Sequence, residues 1–179
     1  MSKFPARAAS PQHEHTVLVL QGGGALGAYQ AGAYEGFAAA GAAPDWVAGV
    51  SIGAINAALI AGNPPPKRVE RLREFWQRVS VPLPPPPFEL PAPWRPLTNR
   101  QSAATATVFG TAGFFSPRHP AGALAALSFY DTAPLKRTLL ELVDFDLINR
   151  AQVRLSVGAV NVRSGNSVYF DNTRCRLGV

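Results

Sequence analysis

A serine between two glycines, in Gly49-Val50-Ser51-Ile52-Gly53, is the pattern in this chain with the clearest chemical use. G-x-S-x-G puts a serine on a sharp turn between a strand and a helix, with its Oγ exposed. Flanking glycines let the strand and the helix pass close together without a Cβ clash. Free N–H groups at the start of the helix lie where negative charge on oxygen would develop. The pattern predicts Ser51 as a nucleophile, against the alternative of an ordinary serine in a strand-to-helix turn.

A second glycine-rich stretch, Gln21–Gly27, precedes this motif by one strand-helix unit. Consecutive glycines can turn their N–H groups toward a bound oxygen, as an anion nest or an oxyanion hole. Gly22, Gly24 and Gly27 also fit G-x-G-x-x-G, the dinucleotide fingerprint. That fingerprint needs an acidic residue at the end of the second strand, whereas Asp45 comes before the second apolar run begins. Nucleotide binding therefore stays as the weaker hypothesis.

Short apolar runs and helical patterns alternate around these two motifs. The pattern predicts a strand, a helix, a strand and a helix at Thr16–Leu20, Ala25–Ala40, Trp46–Val50 and Ile52–Ala61. This order is typical of an α/β sheet. Further along, apolar spacing predicts helices and then strands at Lys67–Val79, Pro134–Val143, Val153–Val162 and Ser167–Phe170. Both glycine motifs are thus expected at the ends of neighbouring strands.

The two motifs together resemble the patatin-like phospholipase family. The resemblance rests on Gly-Gly-Gly-Ala-Leu-Gly-Ala-Tyr-Gln-Ala-Gly from Gly22, and on Val-Ala-Gly-Val-Ser-Ile-Gly-Ala-Ile-Asn-Ala-Ala from Val47. Asn161-Val162-Arg163-Ser164-Gly165, followed by Val168-Tyr169-Phe170, is similar to bacterial members. The resemblance is strongest over residues 16–62 and 151–173.

The resemblance implies a three-layer α/β/α fold and a Ser–Asp dyad. Ser51 matches the nucleophile, while Gly22, Gly23 and Gly24 match the oxyanion-hole loop. The N–H of Ile52, the residue after the nucleophile, is the expected further donor. The implied substrates are fatty-acyl esters of phospholipids or acylglycerols, and no metal or organic cofactor is implied.

The family's dyad aspartate lies in an Asp-Gly-Gly or Asp-Gly-Ala motif, and this chain contains no Asp-Gly. Asp171 resembles the segment before that motif, so we expect a fold incomplete at the C-terminus, ending short of the base. A Ser–acid–His triad through His119 is a weak alternative, because the acids between Ser51 and His119 are Glu70, Glu74 and Glu89, and none follows a predicted strand. A truncated, non-catalytic homologue that binds lipid or a partner is the alternative function.

Composition and net charge limit the domain organisation and the kinds of partner that this protein can have. The 179 residues are 47% hydrophobic and 16% charged, with a net charge of +6. Residues 16–179 are expected to form one domain after a flexible tail at 1–15, with a Pro-rich extended excursion at 81–96. No aromatic-interleaved basic stripe is present, which argues against nucleic acid as a partner.

Cys175 is the only cysteine and residues 1–15 contain no apolar signal segment, so we expect a cytoplasmic protein, with peripheral membrane contact as a further expectation.

Overall fold

The computed structural model describes residues 15–80, 116–117 and 130–178, and its centre is a four-stranded sheet. The strands of this sheet are β1 (Val17–Leu20), β2 (Trp46–Val50), β5 (Arg154–Val160) and β6 (Ser167–Asp171), in the order β1-β2-β5-β6. The first three run parallel, and β6 is antiparallel to β5. A separate two-stranded ladder pairs β3 (Ser116–Pro117) with β4 (Tyr130–Asp131). The α/β class predicted from the sequence is confirmed.

Five α-helices accompany the strands in the described ranges. They are α1 (Gly27–Ala39), α2 (Ile52–Ala61), α3 (Arg68–Val79), α4 (Ala133–Leu142) and α5 (Phe145–Asn149). None of the helices in these ranges is long and apolar enough to cross a membrane. The predicted bounds of β2 and α2 are confirmed, and those of α1, α3, α4, β5 and β6 differ by one or two residues. The Pro-rich excursion lies outside the described residues.

The core lies between one face of the sheet and α2. Seven of the ten residues of α2 are buried, and Val47 and Leu155 of the sheet are almost completely shielded from solvent. This explains why α2 is apolar on all sides, since a helix of that kind has to be enclosed. Alternate residues of the sheet project to its other face, where Val19 is 74% and Tyr169 is 72% exposed.

Helix α1 begins after a 3₁₀ turn at Gly24–Leu26, and Gly41 (φ 71°) follows its end. The large apolar side chains of Tyr29 and Phe37 are exposed, and Tyr34 faces the core. An alanine-rich helix can pack in this way through its small side chains, whose spacing carries little hydrophobic contrast.

Helix α3 shows the clear amphipathic pattern that its sequence predicts. Leu72, Phe75 and Val79 are buried, and the basic side chains on the other face form ion pairs. Arg71 and Arg78 both bind Glu74, Arg78 also binds Glu141 of α4, and Arg73 binds Glu35 of α1. Arg68 is buried and donates to the Asn63 carbonyl. Four of the five basic residues from Lys67 to Arg78 are therefore engaged within the protein.

Candidate active site

Ser51 stands at the junction of β2 and α2 in a strained conformation. Its φ of 53° and ψ of −127° match the first central residue of a type II′ turn, where glycine is usual. A non-glycine residue in such a region costs on the order of 1–3 kcal/mol and often marks a functional site. The side chain is exposed, so the turn presents its hydroxyl to solvent.

The glycines on either side of Ser51 are required by contacts between backbones. A Cβ on Gly49 would lie 2.4 Å from the carbonyl of Gly53, and a Cβ on Gly53 would lie 2.2 Å from the carbonyl oxygen of Leu20. Real Cβ atoms do not approach backbone atoms so closely. Strand β2, helix α2 and the end of β1 thus pass each other at distances that only glycine permits.

The loop Gly22–Gly24, which follows β1, lies directly beside the serine. A Cβ on Gly22 would be 3.2 Å from the Cβ of Ser51 and 3.9 Å from its Oγ. Gly23 and Gly24 have φ values of 141° and 56°, which other residues adopt rarely. Within the described ranges, none of these three N–H groups donates a hydrogen bond. Gly22 is the member of this set of unpaired donors that lies against Ser51.

The start of α2 adds another unpaired donor. The N–H groups of Ala54 and Ile55 both donate to the carbonyl of Ser51. The N–H of Ile52 has no such partner among the described residues, as expected for the first residue of a helix. The positive end of the helix dipole lies at the same point. Of the seven residues predicted for the site, Gly49, Ser51, Ile52 and Gly53 lie at the junction of β2 and α2, and Gly22–Gly24 follow the neighbouring parallel strand β1.

A groove of about 420 Å³ opens beside Ser51 on the exposed face of the sheet. Its lining comes from β2, β5 and β6: Val50, Ser51, Gly158, Ala159, Val160, Ser167 and Tyr169. Gly158 leaves room in this groove for the side chains of Val50 and Tyr169. A Cβ on Gly158 would lie 2.5 Å from Cγ1 of Val50 and 3.3 Å from the ring of Tyr169. These strand residues were not predicted as part of the site, since pairing between β5 and β6 brings them together.

A family model for patatin-like phospholipases matches residues 18–177. The chain belongs to the patatin-like phospholipase family. This membership indicates lipid acyl hydrolase chemistry in general terms, and it agrees with the resemblance seen in the sequence. No curated protein and no solved structure matches the chain significantly.

The described residues supply no hydrogen-bond partner for the Ser51 hydroxyl. Neither a carboxylate nor a histidine among them forms a hydrogen bond with it. No cluster of three His, Cys, Asp or Glu residues in the same ranges could hold a metal ion. His119, the member of the weaker triad hypothesis, lies outside the described residues.

Asp171 is committed to a separate polar network at the other edge of the sheet. Its Oδ2 accepts from Ser156 at 2.7 Å and from Nε of Arg154 at 2.8 Å, while Thr173 donates to Oδ1. Burial opposes the charge on Asp171, but the hydrogen bonds from Ser156, Thr173 and Arg154 outweigh it and hold the pKa of the carboxyl well below its usual range. The Arg154 guanidinium also stacks on the ring of Trp46, 3.9 Å from its centroid.

Asp45 also lies at the edge of the sheet opposite the glycine loop. Its carboxylate accepts from the N–H of Thr16 at 2.9 Å, and both residues precede their strands. Because β1 and β2 are parallel, these starts lie at the edge opposite Gly22. The acid required by a dinucleotide site is therefore at the wrong edge of the sheet.

Proposed function

We propose that this protein is a serine-dependent lipid acyl ester hydrolase in which residues 16–179 form one domain and Ser51 is the nucleophile. The supporting observation is the strained turn that holds Ser51 against Gly22, in a glycine loop whose N–H groups donate no hydrogen bond among the described residues. Strain of this kind persists only when the surrounding structure enforces it. Here the backbone crossing through Gly49 and Gly53 provides that enforcement.

The proposed reaction has two steps. Oγ of Ser51 attacks the carbonyl carbon of a fatty-acyl ester, and the carbonyl oxygen becomes an oxyanion that accepts hydrogen bonds from the glycine loop and the Ile52 N–H. Collapse of this intermediate releases the alcohol and leaves an acyl-serine ester, which water then hydrolyses to the free acid. A general base takes the serine proton and gives it to the departing alcohol, then takes a proton from the attacking water and returns it to Ser51. Family resemblance implies an aspartate in this role.

Phospholipids or acylglycerols are the substrates that we propose for this site. The groove beside Ser51 is lined mainly by apolar or small residues, including Val50 and Val160. Such a surface favours an acyl chain, because burial of each CH₂ group contributes about 0.8 kcal/mol. No cofactor enters the proposed chemistry, since the serine and the N–H donors suffice for acyl transfer to water once a base is present.

The decisive experiment is labelling with a fluorophosphonate probe, which forms a covalent bond with an activated serine. We expect the natural protein to be labelled and Ser51→Ala to lose all labelling. Ser167→Ala is the matched control, because Ser167 is an exposed serine in the same groove. Labelling that survives in Ser51→Ala, or disappears in Ser167→Ala, would refute the assignment.

A second candidate is a non-catalytic homologue that binds lipid or a partner protein. It is favoured by the Ser51 hydroxyl having no hydrogen-bonded base among the described residues. General base help typically contributes about 10²–10⁴-fold, so a protein without it would have little turnover. Hydrolysis of a p-nitrophenyl acyl ester that depends on Ser51 would reject this candidate.

We also propose that the protein is cytoplasmic and reaches its substrate by peripheral contact with a membrane. Leu26 and Tyr29 are exposed and directly follow the glycine loop, so an apolar surface adjoins the proposed site. Cell fractionation tests this proposal, and we expect the protein in the cytosolic fraction and in the fraction loosely bound to membranes. Recovery in a secreted fraction would contradict it.

We propose no nucleic-acid partner, because the basic stretch on α3 is engaged in ion pairs and hydrogen bonds.

A further inference from the structure

A chain of hydrogen bonds runs from the core to the glycine loop. It starts at Asn56 of α2, which is only 1% exposed. The side-chain oxygen of Asn56 accepts from Nε1 of Trp76 at 3.1 Å, and its Nδ2 donates to the carbonyl of Gly27 at 2.9 Å and to Oε1 of Gln30 at 3.1 Å. Gln30 in turn donates from Nε2 to the carbonyl of Gln21 at 2.7 Å. This carbonyl belongs to the peptide bond that leads into the loop.

Each bond in this chain sets the direction of the next. The indole N–H of Trp76 can only donate, so the side-chain oxygen of Asn56 must face it. The amide nitrogen of Asn56 then faces Gln30 and requires an oxygen there. That requirement leaves the nitrogen of Gln30 to donate to the loop. A donor-only group on α3 thereby determines which atom α1 presents to the glycine loop.

The last bond controls the orientation of the first loop N–H. A trans peptide is planar, and its C=O and N–H point in opposite directions. When Gln30 holds the Gln21 carbonyl toward α1, the N–H of Gly22 points away from that helix. Gly22 is also the residue that lies against Ser51. Without the bond, a loop of three glycines would have unusual freedom to rotate.

We propose that Gln30 and Asn56 are positioning residues that hold the glycine loop ready to stabilise the oxyanion at Ser51. The inference rests on the proposed function of Ser51. Neither side chain needs to touch the substrate. Their contribution is preorganisation, because donors that are already oriented need no rearrangement as the charge forms.

The kinetic test replaces Gln30 by methionine, which has a similar length but cannot donate. We expect kcat for a soluble acyl ester to fall about 3–10-fold, which corresponds to one net hydrogen bond. KM should change less than twofold, because the oxyanion exists only after attack. Gln30→Glu should give a similar loss, since its oxygens can accept from Asn56 but cannot donate to Gln21.

The control is Asn63→Ala, which removes a buried amide that donates to the carbonyls of Leu59 and Leu142. We expect it to lower the thermal midpoint and to leave kcat unchanged at a temperature where the protein is folded. Unchanged kcat in Gln30→Met would overturn the positioning role. An equal loss of kcat in Asn63→Ala would show that general destabilisation is responsible, which also overturns it.

A second measurement does not depend on activity. The ¹⁵N order parameters of Gly22, Gly23 and Gly24 should be about 0.85 in the natural protein and fall to about 0.6 in Gln30→Met. Values that stay high in the variant would overturn the positioning role even if the protein has no esterase activity. If Ser51→Ala keeps full turnover, the proposed function fails, while the order parameters still decide whether Gln30 orders the loop.

Discussion

Ser51 is where local conformational preference and function oppose each other. Its φ of 53° suits glycine better than serine, yet only serine offers a hydroxyl. Strain at this position fits the role proposed for Ser51, because active sites often give up stability for a reactive geometry. Ala151 is the other non-glycine residue with positive φ in the described ranges, and it lies outside the proposed site.

Replacing Ser51 by glycine should stabilise the fold relative to Ser51→Ala. Both variants lack the nucleophile, but only glycine adopts the turn without strain of about 1–3 kcal/mol. The greater freedom of glycine in the unfolded chain offsets about 0.5–1 kcal/mol of this gain. Urea unfolding should show Ser51→Gly to be more stable by about 1 kcal/mol. Equal midpoints for the two variants would mean that the turn carries no backbone strain once the serine is replaced, so alanine would cost nothing there.

Asp171 shows the opposite case, an ionised group whose role is structural. Its carboxylate is 9% exposed and joins β5 to β6 through Arg154 and Ser156. The pKa of Asp171 in the folded protein lies below the ordinary aspartate range. As the pH falls, Asp171 is therefore protonated in the unfolded chain before it is protonated in the folded protein. Stability from this group is therefore complete above the unfolded pKa of about 4, and it is lost as the pH falls through the folded pKa.

The variant Asp171→Asn should separate this contribution from that of other carboxylates. At pH 7 it should lose about 2 kcal/mol, because Arg154 and the two hydroxyl groups lose a charged acceptor. Its free energy of unfolding should also depend less on pH than that of the natural protein between about pH 5 and 2. Chemical denaturation across this range checks both points. Parallel pH curves for the two proteins would show that Asp171 has no depressed pKa.

The same variant also separates Asp171 from the catalytic base. If the proposed site is correct, folded Asp171→Asn should react with the fluorophosphonate probe at nearly the natural rate. The reason is that Asp171 pairs in register with Ser156, toward the start of β5, while Ser51 follows the end of β2. A drop of 100-fold or more, which is within the usual contribution of about 10²–10⁴-fold from general base help, would instead identify Asp171 as the base.

At the scale of elements, the crossing of β2 and α2 depends on two missing Cβ atoms. Gly49→Ala should destabilise the protein by at least about 2 kcal/mol, because the added carbon meets backbone that cannot rotate away. Gly36→Ala is the matched control, since α1 has open space at that position. This variant should be more stable than the natural protein by about 0.5–1 kcal/mol. Thermal unfolding of both variants measures the contrast. A Gly49→Ala variant as stable as the natural protein would contradict the close crossing.

The elements around Ser51 were predictable because their signals are local. The apolar run Trp46–Val50 and the helix Ile52–Ala61, closed by Gly62, have the bounds predicted from the sequence. Glycine spacing then placed the loop and the serine at the same edge of a parallel sheet. Helix α5 was not predicted, because it has only five residues and a single clear signal, the Asp144 side chain that accepts from the N–H of Leu147.

Contacts between elements could not be predicted in the same way. Asn56 and Gln30 are 26 residues apart, and hydrophobic periodicity gives no information about which polar side chains meet. The groove residues Gly158 and Tyr169 become neighbours only through the register of β5 and β6. The exposure of Tyr29 and Phe37 on α1 could not be predicted for a related reason, since burial depends on what packs against a helix and not on its own pattern.

At the scale of the whole molecule, net charge is a poor guide to where a membrane would be met. The chain carries +6 overall, but the densest basic stretch is tied to Glu35, Glu74 and Glu141. Exposed ion pairs of this kind contribute little stability, and they also reduce the free positive charge that could attract anionic lipid. The apolar residues that follow the glycine loop are therefore the better candidates for contact.

Leu26→Gln should weaken binding to phosphatidylcholine vesicles several-fold in a sedimentation assay. A leucine side chain buried in lipid contributes about 1.5–3 kcal/mol, and glutamine removes most of that gain. Leu140→Gln is the matched control, because Leu140 is 56% exposed, close to the 65% of Leu26, and lies on a helix that contributes nothing to the groove beside Ser51. Binding should persist at high salt, since the contact is apolar and not ionic. If salt abolishes binding, or the two variants behave alike, the membrane meets another surface, and substrate must reach Ser51 from a different side.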